Sequence, residues 1–252
     1  MSGLISLVIG AAFVVVGALL MAAFTYLIRQ GLRPDFRRLP GYEVVPSQIG
    51  QAVESDGRVH VSLGANSIVG EDTATTLAGL AVLRTVAEAS SISDRQPVAS
   101  TGDATAYPLI ADTVRRAYQA AGEMEKYDTK AIRQVAFDAV TLAGGATAIV
   151  EDDDVRANVL FGSFGPEVAL MAQAGLRKNI PQTIASDRLE GQAVAYTMAD
   201  TPLIGEELFA ASAYLDDLPA PKASLISQDI LRLLVAGAIL VGVLLKTLGL
   251  IG

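Results

Sequence analysis

The chain contains no cysteine and only one histidine, His60, among its 252 residues. The missing cysteine rules out disulfide bonds and thiolate chemistry, and it leaves the redox compartment open. With one histidine and no cysteine, a Cys/His zinc site is excluded by residue count. The loop that carries Gly64 and Gly70 lacks the G-x-G-x-x-G spacing of a dinucleotide-binding turn, and it lacks the Gly-Lys-Ser/Thr of a P-loop. Concentrated positive charge is also missing. The formal net charge is -8 and the pI is near 4.7. Basic residues away from the apolar termini are scattered, with no basic stripe interleaved with aromatics, which argues against nucleic acid as a partner.

What the chain has in excess is apolar sequence. Hydrophobic residues make up 51% and the mean hydropathy is +0.42, too apolar for an ordinary soluble domain. The excess is concentrated at the two ends. Leu4 to Ile28 carries no charge, and as a helix it would be about 37 Å long, enough to cross a bilayer core of about 30 Å. Leu233 to Ile251 would be about 28 Å long, with Lys246 near enough to its end to snorkel into headgroups. The first span has no basic n-region and no small-residue cleavage site, so it reads as a retained anchor and not as a signal peptide. Arg29, Arg33, Arg37 and Arg38 follow the first span, and Lys222 and Arg232 precede the second. The positive-inside rule therefore places the middle of the chain in the cytoplasm and both termini on the outer face. The basic stretch 29–38 suits anionic lipid headgroups. Ala18-x-x-x-Ala22 and Ala238-x-x-x-Gly242 offer small faces for helix pairing.

These features divide the chain into an N-terminal transmembrane helix at 1–28, a basic linker at 29–41 and an α/β domain at 42–217. A second linker follows at 218–232, and a C-terminal transmembrane helix at 233–252. Within the domain, strands are expected at Arg58–Leu63, Pro97–Thr101, Val155–Phe161, Gln182–Ser186 and Gln192–Thr197. Helices are expected at Thr73–Ala89, Ala104–Ala121, Pro166–Lys178 and Pro202–Leu215, the last capped by Asp200 or Thr201. Between Ile132 and Leu142 a strand could lead into a helix. Alternation of this kind predicts a Rossmann-like, mostly parallel sheet with flanking helices.

Strand after strand in this reading ends in small polar residues and runs into a helix. In an open parallel sheet such loops gather at the carboxyl edge, where ligands bind. The candidate ligand-binding residues are Ser62, Gly64, Asn66 and Ser67 from the first loop, and Ser100, Thr101, Gly102 and Asp103 from the second. Gly162, Ser163, Ser186 and Asp187 complete the set. Helix N-termini there favour a small anion such as phosphate. The same residue types are also what turns and N-caps require. Asp103, Glu167, Asp187 and Asp200 are the carboxylates that could share a cleft, or could cap helices and turns.

His60 and Ser62 would face one side of their strand, but shared facing does not make a catalytic pair, and a core histidine is the commoner case. The run Glu151-Asp-Asp-Asp154 splays its carboxylates and lacks the spacing of a calcium loop, so it reads as a solvated turn. No catalytic residue and no metal site is assigned, and no cofactor is named.

The segments "HVSLGANSIVG", "NVLFGSFGPEVALMAQAG" and "ADTPLIGEELFAASAYL" resemble those of an uncharacterised bacterial membrane-anchored family, known only as a domain of unknown function. The resemblance implies a cytoplasmic α/β domain and supplies no activity. The leading expectation is a non-enzymatic, membrane-anchored subunit or scaffold. It would contact lipid and dock a second copy or a membrane-complex partner, with a small anionic ligand as a further possibility. The alternative is a membrane-tethered nucleotide or phosphometabolite sensor or enzyme that uses Ser62, Asn66, Ser100, Asp103, Ser163 and Asp187. A transporter component is disfavoured, because two helices with one edge lysine offer no polar pathway.

Overall fold

In the computed structural model, which describes residues 2–249, the chain divides into two compact units. One comprises the terminal segments, 1–36 and 217–252; the other is Arg37–Asp216.

In the first unit, α1 (Ser2–Arg29) and α9 (Pro219–Thr247) pack against one another. Both are long and apolar enough to cross a membrane. Their outward faces carry exposed Val14, Leu19, Leu233 and Leu240. Contact falls on Gly17, where a Cβ would stand 3.5 Å from Leu231. Leu20, Phe24 and Ile28 continue the half-buried stripe at helical spacing, while Ala18 and Ala22 point outward, as do Ala238 and Gly242. The helices therefore meet, but not on the small-residue pairs expected from sequence. The stretch 219–232, expected as a linker, forms the first turns of α9. Only its opening residues, Pro219 and Pro221, break helical sequence, and Pro219 sits in the first turn, where proline costs no hydrogen bond. Residues 250–252, the end of the expected second span, lie outside the described residues, as does Met1.

The second unit is an all-parallel six-stranded sheet. Its strands are β1 (Arg58–Ser62), β2 (Val98–Thr101), β3 (Ile132–Gln134), β4 (Val155–Gly162), β5 (Gln182–Ser186) and β6 (Thr201–Ile204). The spatial order β3-β2-β1-β4-β5-β6 is the doubly wound order, with its switch point between β1 and β4. The connecting helices are α3 (Thr73–Ser90), α4 (Tyr107–Ala121), α5 (Ala139–Asp152), α6 (Val168–Lys178) and α7 (Leu189–Met198).

Parallel strands cannot be joined by a tight hairpin, so each pair needs a crossover of a dozen or more residues. That requirement explains the two misread elements. Gln192–Thr197 is not a strand. It lies in α7, the crossover between parallel neighbours β5 and β6, and it buries Gly191 and Ala195. Thr201–Ile204 is the sixth strand and not a helix start. A short 3-10 segment (Gly205–Ala210) and α8 (Ala211–Leu215) follow it.

Both faces of a parallel sheet must be covered. On one face α5, α6 and α7 enclose Leu160 and Ile184 with Ala143, Ala146, Phe164, Val168, Met171, Ala172 and Ala195. On the other face α3 lies beside α2 (Pro40–Glu54), a helix absent from the sequence expectation. Its buried residues Tyr42, Val45, Ile49 and Ala52 recur at helical spacing. Pro40 sits in the first turn, and Pro46 falls inside the helix and disguises the pattern. Tyr42 anchors α2. Its ring stacks on Tyr214 at 5.4 Å and tilts against Phe161 at 6.1 Å. Its hydroxyl donates to the carbonyls of Glu207 (2.7 Å) and Leu208 (3.0 Å). Burial, with Glu207 and Tyr214 adding to it, raises its pKa well above the ordinary tyrosine value. Tyr42→Phe removes the hydroxyl's buried hydrogen bonding to those two carbonyls and should cost about 1–2 kcal/mol of stability. Denaturant unfolding in detergent, compared with the unsubstituted chain, measures it; an unchanged midpoint would contradict this role for the hydroxyl.

Candidate functional site

The candidate residues come to the carboxyl edge because four strands end there together. β1 leaves the sheet through Gly64, whose φ of +72° is left-handed backbone that favours glycine. The neighbouring β4 ends at Gly162, where a Cβ would stand 2.5 Å from the carbonyl oxygen of Leu63. A side chain there would push β1 and β4 apart at the switch point.

Beyond the strand ends the loops bond to one another. Gly102 N–H donates to the Gly64 carbonyl at 2.8 Å. The Thr101 hydroxyl also reaches that carbonyl, at 3.4 Å, and accepts from Asp103 N–H at 3.2 Å. Ser67 Oγ meets Thr105 Oγ1 at 3.1 Å, linking the first loop to the second. Asn66 Oδ1 accepts from Ser163 N–H at 3.0 Å, linking the first loop to the one after β4. Ser186 Oγ accepts from Phe164 N–H and donates to Phe164 O, joining the β4 and β5 ends. Asp187 Oδ2 accepts from the Thr75 hydroxyl at 2.5 Å, which ties the β5 loop to the first turn of α3. No side chain caps that helix start.

The expected residues are thus brought together, but with different exposure. Ser62, Ser100, Thr101 and Ser186 are fully buried in the strand ends, and Ser62 Oγ accepts from Gly64 N–H at 3.4 Å. Ser67, Asp103, Ser163 and Asp187 are half-buried. Asp103 closes its own turn by accepting from Thr105 N–H at 2.6 Å, and Glu167 accepts from Gly165 N–H at 2.7 Å. Asp200 lies at the opposite end of the sheet, where it accepts from Gln182 N–H at 2.7 Å. The four carboxylates therefore do not share one cleft. Sequence reasoning missed Thr75, Thr76 and Thr105, whose hydroxyls lock the loops. The cluster Thr73-Ala-Thr-Thr76 was the visible signal for the first two, and the small polar run Ser100–Thr105 for the third.

Two buried polar atoms at this edge have no partner among the described residues: Asn66 Nδ2 and Asp187 Oδ1. Charge at the rim is one-sided. Glu71, Asp72, Asp103, Asp138, Glu167 and Asp187 lie in the loops after β1 to β5, against a single cation, Arg188. The rim also exposes large apolar side chains. Val69 is 74% exposed, Phe137 74% and Leu189 79%, and Val140 adds to them.

The remaining candidates lie elsewhere. Three of the four carboxylates of 151–154 go to separate cations: Glu151 pairs with Arg177, Asp153 with Arg133 at 2.7 Å, and Asp154 approaches Arg95 at 4.0 Å. His60 is wholly buried in the sheet, aligned in register with Asn158 and, through it, with Gln182. A directed chain of hydrogen bonds crosses four strands there. Gln182 Nε2 donates to Ala172 O (2.9 Å), and Asn158 Nδ2 donates to Gln182 Oε1 (3.0 Å). Asn158 Oδ1 must then accept from His60 Nδ1–H (2.8 Å), and His60 Nε2 accepts from the Ser100 hydroxyl (2.9 Å). His60 is a neutral core histidine and not a base facing substrate. Burial lowers its pKa to about 4, with Arg133 adding to the effect and Asn158 and Asp153 opposing it.

An open, doubly wound α/β domain carried between two long apolar helices is the class of protein that this fold defines. Over residues 4–251 the chain matches the family described as a domain of unknown function (DUF6754), and it belongs to that family. No curated protein and no solved structure matches it.

The buried histidine generates a pH prediction. Its folded pKa lies below the unfolded value of about 6.5, so the unfolded chain takes up a proton first as pH falls. Stability is therefore full above pH 6.5 and is lost between there and pH 4, by about 2 kcal/mol at pH 5. As the only histidine, His60 gives a single imidazole signal in nitrogen NMR. That signal should show the Nδ1–H tautomer and titrate near pH 4; a midpoint near 6.5 would contradict the buried network.

Proposed function

We propose that this protein is a membrane-anchored docking subunit whose α/β domain engages a protein partner at the cytoplasmic face. The observation that carries the reading is the carboxyl edge of the sheet. Where a doubly wound domain would open to a ligand, these loops bond to one another and present apolar side chains in an acidic rim. Exposed apolar groups ringed by one sign of charge suit a protein surface with apolar sockets and basic surroundings. The same rim disfavours phosphate, since six carboxylates outweigh one arginine.

The anchoring part of the proposal rests on α1 and α9, whose exposed apolar surface suits lipid. Orientation follows from the flanking charges. Arg37 is tied to Glu207 and Lys222 to Asp217, while Arg29, Arg33 and Arg38 make no ion pair among the described residues and suit lipid headgroups.

One observation favours a second reading. Asn66 Nδ2 is a donor and Asp187 Oδ1 an acceptor without a partner among the described residues, which suits a small molecule that both accepts and donates a hydrogen bond, such as a hydroxyl-bearing metabolite. A bare anion fits Asp187 poorly.

Purification of the full chain from its own membrane in mild detergent, followed by native mass measurement, tests the docking proposal. The expected mass exceeds the 26.2 kDa of one chain, and Phe137→Ser with Leu189→Ser should return it towards that value. A strict monomer would contradict docking. For the second reading, a thermal-shift screen of the full chain with nucleosides, sugars and other uncharged polyols should find a stabiliser whose effect Asn66→Ala removes. No stabilisation by any of them would eliminate that reading.

A further inference from the structure

Side-chain hydrogen bonds close a ring at the carboxyl edge that takes in the first turn of α3. Asn66 Oδ1 accepts from Ser163 N–H at 3.0 Å. Ser186 Oγ holds the next residue, Phe164, accepting from its N–H at 3.1 Å and donating to its carbonyl at 2.8 Å. Asp187, beside Ser186, accepts from the Thr75 hydroxyl. Thr76, beside Thr75, donates to the Ser67 carbonyl at 2.8 Å, and Ser67 follows Asn66.

Two polar atoms on this ring are left without partners among the described residues. They are Asn66 Nδ2, on a side chain only 1% exposed, and Asp187 Oδ1. A buried donor or acceptor that bonds to nothing is unfavourable, so the closed ring carries a cost that contact with a polar group would recover. Both atoms are cut off from solvent, so no solute reaches them while the ring is closed. The ring can yield at one place. Asn66, Thr75, Thr76 and Ser186 are at most 2% exposed and have no room to turn. Asp187 is half-buried, and a change of rotamer takes its carboxylate to solvent without moving a strand.

We propose that Asp187 is the latch of this edge: its bond to Thr75 keeps the ring closed, and an uncharged polyhydroxyl ligand enters when Asp187 lets go. This rests on the second reading and specifies how its site opens. The opened ring offers hydroxyl groups the acceptor Asp187 Oδ1 and the donor Asn66 Nδ2. A site that is mostly closed binds more weakly in proportion to the fraction of time it is open. Loss of the latch therefore tightens binding, the opposite of losing a ligand contact.

The test compares the full chain in detergent with Thr75→Val, which keeps the shape of the side chain and deletes its donor, and with Asp187→Ala. Three amides report on the ring directly: Ser163, held by Asn66 Oδ1, and Phe164 and Arg188, held by Ser186 Oγ. Their hydrogen exchange should quicken roughly ten-fold in both variants, the effect of deleting one hydrogen bond to a charged group, while amides inside β1, β4 and β5 keep their rates. Thermal-shift titration with ribose and with inositol should give Thr75→Val a higher apparent affinity than the unsubstituted chain by a similar factor. Asp187→Ala should bind more weakly than Thr75→Val, because it also loses the acceptor. Two variants keep the exchange measurement decisive if one of them loosens the whole sheet. Unchanged exchange at the three amides would overturn the latch, whatever the titrations give. Equal affinity of the unsubstituted chain and Thr75→Val would overturn it as well and leave the second reading standing. If neither compound stabilises any of the three chains, the latch and the second reading fall together.

Discussion

Parallel pairing is the constraint on which the rest of this structure depends. Six strands running the same way bury the sheet on both faces and demand a crossover between every pair of neighbours. That demand turns 189–198 into a helix, gives α2 a face to cover, and delivers the ends of β1, β2, β4 and β5 to one edge. Inside the sheet the same register aligns His60, Asn158 and Gln182, so a polar chain crosses the core with each buried group satisfied. A buried network of this kind fixes one register, since a slip of one residue would turn every member to the other face.

The edge produced by this topology departs from the usual pattern of open α/β folds. Its loops spend their hydroxyls and carboxylates on each other. Ser67 meets Thr105, Asn66 holds the Ser163 amide, and Asp187 holds Thr75. Mutual bonding stiffens the edge and leaves Val69, Phe137 and Leu189 as its outward features. Adhesion to a matched surface is the role proposed for it.

Much of this was legible in the sequence, for reasons specific to particular elements. Arg58–Ser62, Thr73–Ser90 and Gln182–Ser186 announce themselves by alternation or helical spacing between clear breaks. The loop cluster was legible because each loop is built from small polar residues ahead of a helix. Gln192–Thr197 was misread because alternating small residues satisfy both periods, and only the parallel pairing of β5 and β6 decides between them. α2 was hidden by Pro46, although Tyr42, Val45, Ile49 and Ala52 carry the helical period. The bonds between loops were not legible, since Asn66 and Ser163 are separated by most of the domain's sequence and meet only when β1 pairs with β4. His60 shows the same limit: its partners, Asn158 and Ser100, come from two other strands and no local pattern names them.

The proposed arrangement sets the α/β unit beside the inner face of a membrane, anchored through α1 and α9. A chain without cysteine suits a direct test by single-cysteine labelling. With Glu190→Cys, at the exposed start of α7, a membrane-impermeant maleimide applied to intact cells should leave the protein unmodified. Labelling should appear once the membrane is permeabilised, with the chain sedimenting in the membrane fraction throughout. Modification in intact cells, or a chain that stays in the supernatant, would contradict the account.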